Sequence, residues 1–360
     1  MEKKILGNKI IVGVILSIVA IVLGYLVYIV ADYHRIKDNL ELESRGRAEF
    51  SEPVAAGTEY SIVTYNIGFG AYDQSYSFFM DGGSKSWARS KEAAINNVNG
   101  ACDCVISLEP DFVMFQEIDF DSTRTYHLNE LGLIDDKLSG FQSTFGVNYD
   151  SSFLLYPINE PHGANRAGIG TYSKYSIQSA IRRQLPISNT PAKILDLDRC
   201  YTINKIPVSN GKNLVLINLH LTAYGNSPAV RAAQTTMIRN EMANEYAMGN
   251  YVIVGGDFNH ELKNPKAASA SKNGAMYYDR SLLPEHYSFA IDLLEPEEIE
   301  ALAETCRDAG KPYDPNTTKT STLDGFIISD NILLESYKSV DTSFAYSDHD
   351  PVYMSFKLIN

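Results

Sequence analysis

Basic residues are in short supply. The 360-residue chain carries 31 Lys and Arg against 44 Asp and Glu, a formal net charge of −13. Residues 1–37 hold five of the basic and two of the acidic side chains, so the remainder has 26 against 42, a net of −16. Tight non-specific binding to nucleic acid draws on basic surface, so this balance weighs against it while leaving room for a local patch. Cysteine is scarce too: Cys102, Cys104, Cys200 and Cys306 are the full set. Cys102-Asp103-Cys104 is spaced too closely for the usual zinc-knuckle pair. Small buried or half-buried thiols are the plain reading, and a disulfide is the alternative for a domain outside the cell. Short-period repeats and low-complexity tracts are absent. With 44% apolar and 11% aromatic residues, 23 of them Tyr, the composition is that of a folded globular chain long enough for one large core or two small ones.

Charge is missing altogether from Ile10 to Val30, a run of 21 residues. As a helix it would be about 31 Å long, close to the hydrocarbon thickness of a bilayer. A cleaved secretory signal usually has a shorter apolar core, and Ile29-Val30-Ala31 is a poor cleavage site. The run also lacks the polar face of a helix on a soluble core. It reads as an uncleaved single-pass anchor. Lys3, Lys4 and Lys9 precede it, while Arg35, Lys37, Arg45 and Arg47 follow, so the positive-inside count is nearly balanced. The short basic amino terminus favours a signal anchor with the large domain extracytoplasmic. The expected organisation is an anchor over 1–37, a linker over 38–57 that lacks apolar periodicity, and a globular domain over 58–360.

The globular part alternates strand-like and helix-like pieces. Ser61 to Asn66, Phe112 to Ile118, Gly168 to Tyr172, Tyr201 to Ile206, Asn213 to Leu221, Tyr251 to Val254, Gly325 to Ser329 and Val352 to Leu358 read as strands. Trp87 to Ser107 and Pro228 to Met248 read as helices. Residues 261–322 break the rhythm and read as long loops with a short acidic helix near Glu295 to Glu304. Several strands end in polar groups: Asn66 after Val63-Thr64-Tyr65, Glu117 after Phe115-Gln116, His220 after Ile217-Asn218-Leu219, and Asp257 and Asn259 in Gly255-Gly256-Asp257-Phe258-Asn259. Asp324 opens Asp324-Gly325-Phe326-Ile327-Ile328-Ser329, and Ser347-Asp348-His349-Asp350-Pro351 precedes the last strand. Each alone is readily explained as a turn or a satisfied core histidine. Together they predict an α/β layered sandwich whose strand ends converge on one site. Carboxylates, carboxamides and two imidazoles are the inventory for holding a hard divalent cation and attacking a phosphorus ester with water.

Gly-Asp-Phe-Asn and Ser-Asp-His-Asp-Pro, in this order and separation, with Leu323-Asp324-Gly325-Phe326 between them, resemble the endonuclease/exonuclease/phosphatase superfamily over residues 58–360. The resemblance implies a four-layer α-β-β-α sandwich, two mixed sheets flanked by helices, with Mg²⁺ in the cleft and Mn²⁺ as a substitute. It implies Glu117 as principal metal ligand, with Asn66 and Asp348 beside it. Asp257 would position and deprotonate water, Asn259 would bond the phosphate, and His349, oriented by Asp324, would contact phosphoryl oxygens. His220 would be a second phosphate donor and aligns the chain with the deoxyribonuclease, sphingomyelinase and inositol phosphatase branches. Arg166, in Asn165-Arg166-Ala167-Gly168, would reach a phosphate or else be an ordinary surface arginine, with Arg199 a weaker choice of the same kind. The expectation is a membrane-anchored phosphoester hydrolase, more a phosphodiesterase than a phosphomonoesterase. The substrate stays open among nucleic acid, phospholipid headgroup and small phosphoester, and no protein partner is expected. The alternative of another class is a catalytically silent tethered binding module. Its mark would be loss of catalytic groups, yet Glu117, Asp257, Asn259, Asp324 and His349 are all present.

Overall fold

The computed structural model describes residues 2–194, 196–222, 227–263 and 276–359. In chain order its regular elements begin with α1 (Glu2–Asp32), β1 (Leu40–Glu41), β2 (Arg45–Gly46), β3 (Glu59–Asn66), α2 (Lys91–Ile106), β4 (Phe112–Asp119), α3 (Glu130–Lys137) and β5 (Gln142–Asp150). β6 (Arg166–Ser173), β7 (Ser179–Gln184), β8 (Cys200–Pro207), β9 (Asn213–His220), α4 (Pro228–Ala247), β10 (Tyr251–Asp257) and β11 (Tyr287–Phe289) follow. The chain closes with α5 (Pro296–Ala301), β12 (Cys306–Arg307), β13 (Thr320–Ser321), β14 (Asp324–Ser329), β15 (Ile332–Ser339) and β16 (Val352–Leu358).

The strands form two seven-stranded sheets, ordered β1-β7-β8-β9-β10-β14-β11 and β15-β16-β3-β4-β6-β5-β2, beside a small β12-β13 pair. Central strands are buried on both faces, which is why they read as near-continuous apolar runs. On β3 and β4, Ile62, Phe112 and Met114 face the opposite sheet and meet Leu214, Leu216, Ile253 and Phe326 there. The alternate residues Val63, Tyr65, Val113 and Phe115 pack with Val98 and Val105 of α2 and Ile134 of α3. On the far side Val215, Ile217, Val252 and Val254 pack with Ile238 and Met242 of α4. The four layers are therefore helices, sheet, sheet, helix. Both sheets are mixed, because β3 runs parallel to β4 and β9 parallel to β10 among otherwise antiparallel neighbours. Each parallel pair is joined by a crossover helix, α2 or α4, whose start is capped by Ser90 or Ser227.

The segment 38–57 is not the free linker expected from its composition. β1 pairs with β7 and β2 with β5, one at an outer edge of each sheet. Val54 is wholly buried in the intersheet core. Two-residue strands are too short to show a period of two, so nothing in the sequence marked them. Upstream, Arg35 and Arg182 share the Asp198 carboxylate. Within α1, Gly7–Asp32 is long and apolar enough to cross a membrane, and most of its large apolar side chains are exposed. Strands β5, β7 and β15 add to the expected set; β15 is an edge strand with alternating partial exposure, a weak hydrophobic signal. The acidic helix near Glu295 is α5, while residues 264–275 of the expected long loops lie outside those described. All four cysteines are unpaired.

Candidate active site

Sheet register brings the polar strand ends together. In one sheet Asp257 on β10 lies opposite His220 on β9 and opposite Asp324 on β14. In the other sheet Asn66 ends β3, level with Gln116 on β4, and Glu117 follows. Ligands in parallel α/β sheets gather at the carboxyl ends of strands, and here two such ends face each other. A polar ladder ties the sheets beneath the site. Gln116 Nε2 donates to Thr64 Oγ1 at 3.2 Å and, across the sandwich, to Asn218 Oδ1 at 2.9 Å. Asn218 Nδ2 in turn donates to the Gly170 carbonyl at 2.9 Å. These fully buried amides replace apolar packing under the cleft and are satisfied by each other, as burial requires.

Local backbone shape aims each side chain. Glu117 sits at an irregularity in the β4–β6 ladder with φ of 56°, a left-handed conformation that turns its carboxylate out of the strand's alternation. Gly256 has φ of 139°, and a Cβ there would come within 2.0 Å of the Leu219 carbonyl oxygen, so only glycine lets β10 approach β9 so closely.

Asn66 bridges the two halves. Its Nδ2 donates to Glu117 Oε1 at 3.1 Å and to Asp257 Oδ2 at 3.2 Å, while Oδ1 accepts from the Gly68 N–H at 3.0 Å. His220 Nε2 lies 3.6 Å from Asp257 Oδ2 and 3.9 Å from Glu117 Oε1. Burial, then the nearby Arg199 and His349 cations, hold its pKa well below the usual value, so it is a neutral imidazole. His349 is the opposite case. Burial opposes its charge, but Asp324 foremost, then Cys306 and Asp257, raise its pKa well above 6.5. Its Nδ1 donates to Asp324 Oδ2 at 2.7 Å, and its Nε2 lies 3.8 Å from Asp257 Oδ2. Burial also pushes Asp257 up to about 7, against the pull of His349. Asp348 is pushed up to about 6 by burial, against His349 and Arg307, and lies over Gly68, where a Cβ would meet its Oδ1 at 3.0 Å.

Two expected roles change. Asn259 was to bond a phosphate, but its Nδ2 donates to the Leu221 carbonyl at 2.9 Å and to Asp257 Oδ2 at 3.3 Å, and its N–H to Asp257 Oδ1 at 2.8 Å. Both amide hydrogens thus fall on protein acceptors, one of them Asp257. Arg166 is exposed on β6 and pairs with Asp150 at 3.3 Å, outside the cluster. Arg199 is the arginine that does approach. It is buried with φ of 40°, donates to the Leu221 carbonyl at 2.9 Å, and its Nε has no partner among the described residues. Thr305 was missed: its hydroxyl donates to Asp324 Oδ2 at 2.8 Å. A threonine in an irregular stretch gives no sequence signal of that contact.

The donor set suits a hard cation. Asp257, Asp324 and His349 bring one polar atom each within 4.8 Å of one another, and of these the carboxylates are the candidate ligands, because a cationic imidazole has no lone pair to offer. The contacts to Glu117 all fall on Oε1. Asp324 Oδ1 and His220 Nδ1 are buried without partners among the described residues, as atoms that bond a ligand or water would be. Carboxylate and carboxamide oxygens are the ligands Mg²⁺ prefers.

A sequence model of the endonuclease/exonuclease/phosphatase family matches residues 63–349, and the chain belongs to that family. It is accordingly a hydrolase of phosphoric ester bonds. Among solved structures, an endonuclease/exonuclease/phosphatase from Beutenbergia cavernae is similar at 14% identity and a TM-score of 0.56, over 84% of this chain and 72% of that one. The human Nocturnin catalytic domain with bound sulfate is similar at 17% identity and 0.52, over 88% and 97%. Truncated Caenorhabditis elegans TDP2 is similar at 16% and 0.52, over 84% and 98%. At such identities these structures support the fold alone. No curated protein matches the chain.

Proposed function

We propose that the chain is a membrane-anchored, Mg²⁺-dependent phosphodiester hydrolase whose catalytic domain lies outside the cytoplasm. The observation that carries the chemistry is the meeting of Asn66, Glu117, His220, Asp257 and His349 at facing strand ends, with Asn66 bonded to carboxylates from both sheets. Glu117 would hold the cation, with Asp348 and Asn66 beside it, and Mn²⁺ could substitute. When bound, the cation polarises a phosphoryl oxygen and offsets charge gained in the transition state.

The rest falls to the protein. Asp257, fixed by two bonds from Asn259, accepts a proton from water as the water oxygen bonds to phosphorus and the ester P–O bond opposite breaks. His349, held cationic by Asp324, donates from Nε2 to a phosphoryl oxygen. Neutral His220 supplies a second donor. The anchor reading rests on the apolar run in α1 and the short basic segment before it. The substrate class stays among nucleic acid, lipid headgroup and small phosphodiester. The test is hydrolysis of bis-p-nitrophenyl phosphate by the full chain in detergent, with EDTA and after Mg²⁺ is restored. Activity that EDTA abolishes and Mg²⁺ recovers supports the reading. Activity indifferent to EDTA refutes the metal, and absence of hydrolysis on any phosphoester favours the silent module.

A further inference from the structure

We infer that the loop after β5, residues 153–158, is a membrane wedge that dips into the bilayer interface beside α1 and fixes the catalytic cleft against the lipid surface. This rests on the proposal that α1 spans the membrane. The loop is apolar where a soluble surface would be polar: Phe153, Leu155, Tyr156 and Ile158 are all exposed, the last two by 70% and 88%. The Tyr156 ring packs on Phe79 at 5.7 Å between centroids, and the next residue, Met80, is 69% exposed. Scattered apolar side chains on a surface are ordinary, but a contiguous patch marks an interface.

The identity of the covering phase follows from what the loop touches. Tyr25 Oη donates to the Phe153 carbonyl at 3.1 Å and accepts from the Leu155 N–H at 3.0 Å, and Tyr28 Oη accepts from the Phe153 N–H at 3.1 Å. Tyr25 lies five residues before Val30, roughly 8 Å inside the end of the apolar run. A loop bonded there is held at the depth of the last turns of the span, where interfacial tyrosines gather. Non-helical backbone at that level is costly unless its N–H and C=O groups are satisfied, and the two tyrosine hydroxyls do this for the segment closest to α1. Phe79 also meets Phe78 edge to face, and Phe78 packs against Phe69 and Tyr72. Phe69 follows Gly68, beneath Asp348. One packed aromatic group thus runs from the wedge to the rim of the site and sets the depth of the cleft relative to the bilayer.

The full chain is reconstituted in vesicles of phosphatidylcholine and phosphatidylglycerol, with an environment-sensitive NBD label on L16C, I158C or L333C in turn. Unlabelled-site background is taken from the wild-type chain. Position 16 is mid-span, and Leu333 is exposed on β15, at the opposite edge of its sheet from β2 and β5. The wedge predicts that a label at 158 loses emission to doxyl-lipid quencher as the label at 16 does, while the label at 333 loses emission only to aqueous iodide. If 158 behaves like 333 while 16 is lipid-quenched, the wedge is overturned and the span stands. If 16 is itself quenched by iodide and not by lipid, the span fails and takes the wedge with it.

Discussion

Replacing Asp324 by asparagine tests the charge arrangement that the mechanism needs. The carboxylate is fully buried and accepts from His349 Nδ1 at 2.7 Å and from Thr305 at 2.8 Å. Burial alone would keep His349 neutral, and Asp324 is the largest influence overcoming it. D324N preserves volume but removes the charge, so the pKa of His349 should fall and its cationic form should be less populated. A donor aimed at a phosphoryl oxygen then weakens or vanishes. Loss of one such donor costs about 2.7–4 kcal/mol, roughly 10²–10³ in kcat. The assay is the pH–rate profile on bis-p-nitrophenyl phosphate with saturating Mg²⁺. The acid limb should report Asp257, which burial pushes up to about 7 in the metal-free site and a bound cation would draw down, and the alkaline limb should report His349, raised well above the usual histidine value. D324N should move the alkaline limb down. The acid limb should move less, because losing Asp324 lowers the pKa of Asp257 while losing the His349 charge raises it. Stability gives an independent check. A histidine whose folded pKa is raised contributes stability that is full below its unfolded pKa and is lost as pH rises through the folded one. The deficit of D324N should therefore be largest below pH 6.5 and shrink at alkaline pH. Unchanged kcat together with an unmoved alkaline limb would refute the assignment of His349 as a cationic donor.

D257A should lower kcat by at least about 10²-fold, the usual span for a general base, with the far-ultraviolet circular dichroism spectrum intact; wild-type turnover would remove Asp257 from the role of base. E117A should raise the Mg²⁺ concentration for half-maximal rate by more than about tenfold, and an unaltered titration would move the cation elsewhere. Deleting residues 1–33 should give a soluble active domain that keeps the Arg35–Asp198 pair. Extending the deletion to residue 57 strips β1, β2 and the buried Val54, and should cost about 3 kcal/mol or more in urea unfolding, since one buried valine or leucine is worth about 1.5–3. Equal stability of the two truncations would mean that the docked segment contributes nothing.

Much of the site was legible along the chain because its residues interrupt apolar strands. His220 and Asp257 each close a buried run and Glu117 interrupts one, and a polar group at such a point is costly without a partner. The helices over α2 and α4 were legible by apolar spacing and composition. The docking of 38–57 was not, since edge pairing satisfies backbone groups and leaves no side-chain pattern. Nor was the cross-sheet ladder of Gln116 and Asn218, because alternation says only that they face away from Glu117 and Leu219, not that they meet.

The order of polar strand ends and their residue types were set by the sequence alone, and with them the class of chemistry and the candidate span. Which donors are free was decided only by the fold. Asn259 spends its amide on Asp257 and Leu221, Arg166 pairs at the surface while Arg199 is drawn inward, and one histidine is held neutral while the other stays charged. The reason is that a side chain's identity fixes what it can donate or accept, whereas its burial and neighbours, set by register between strands far apart in the chain, fix which of those capacities remains for a substrate.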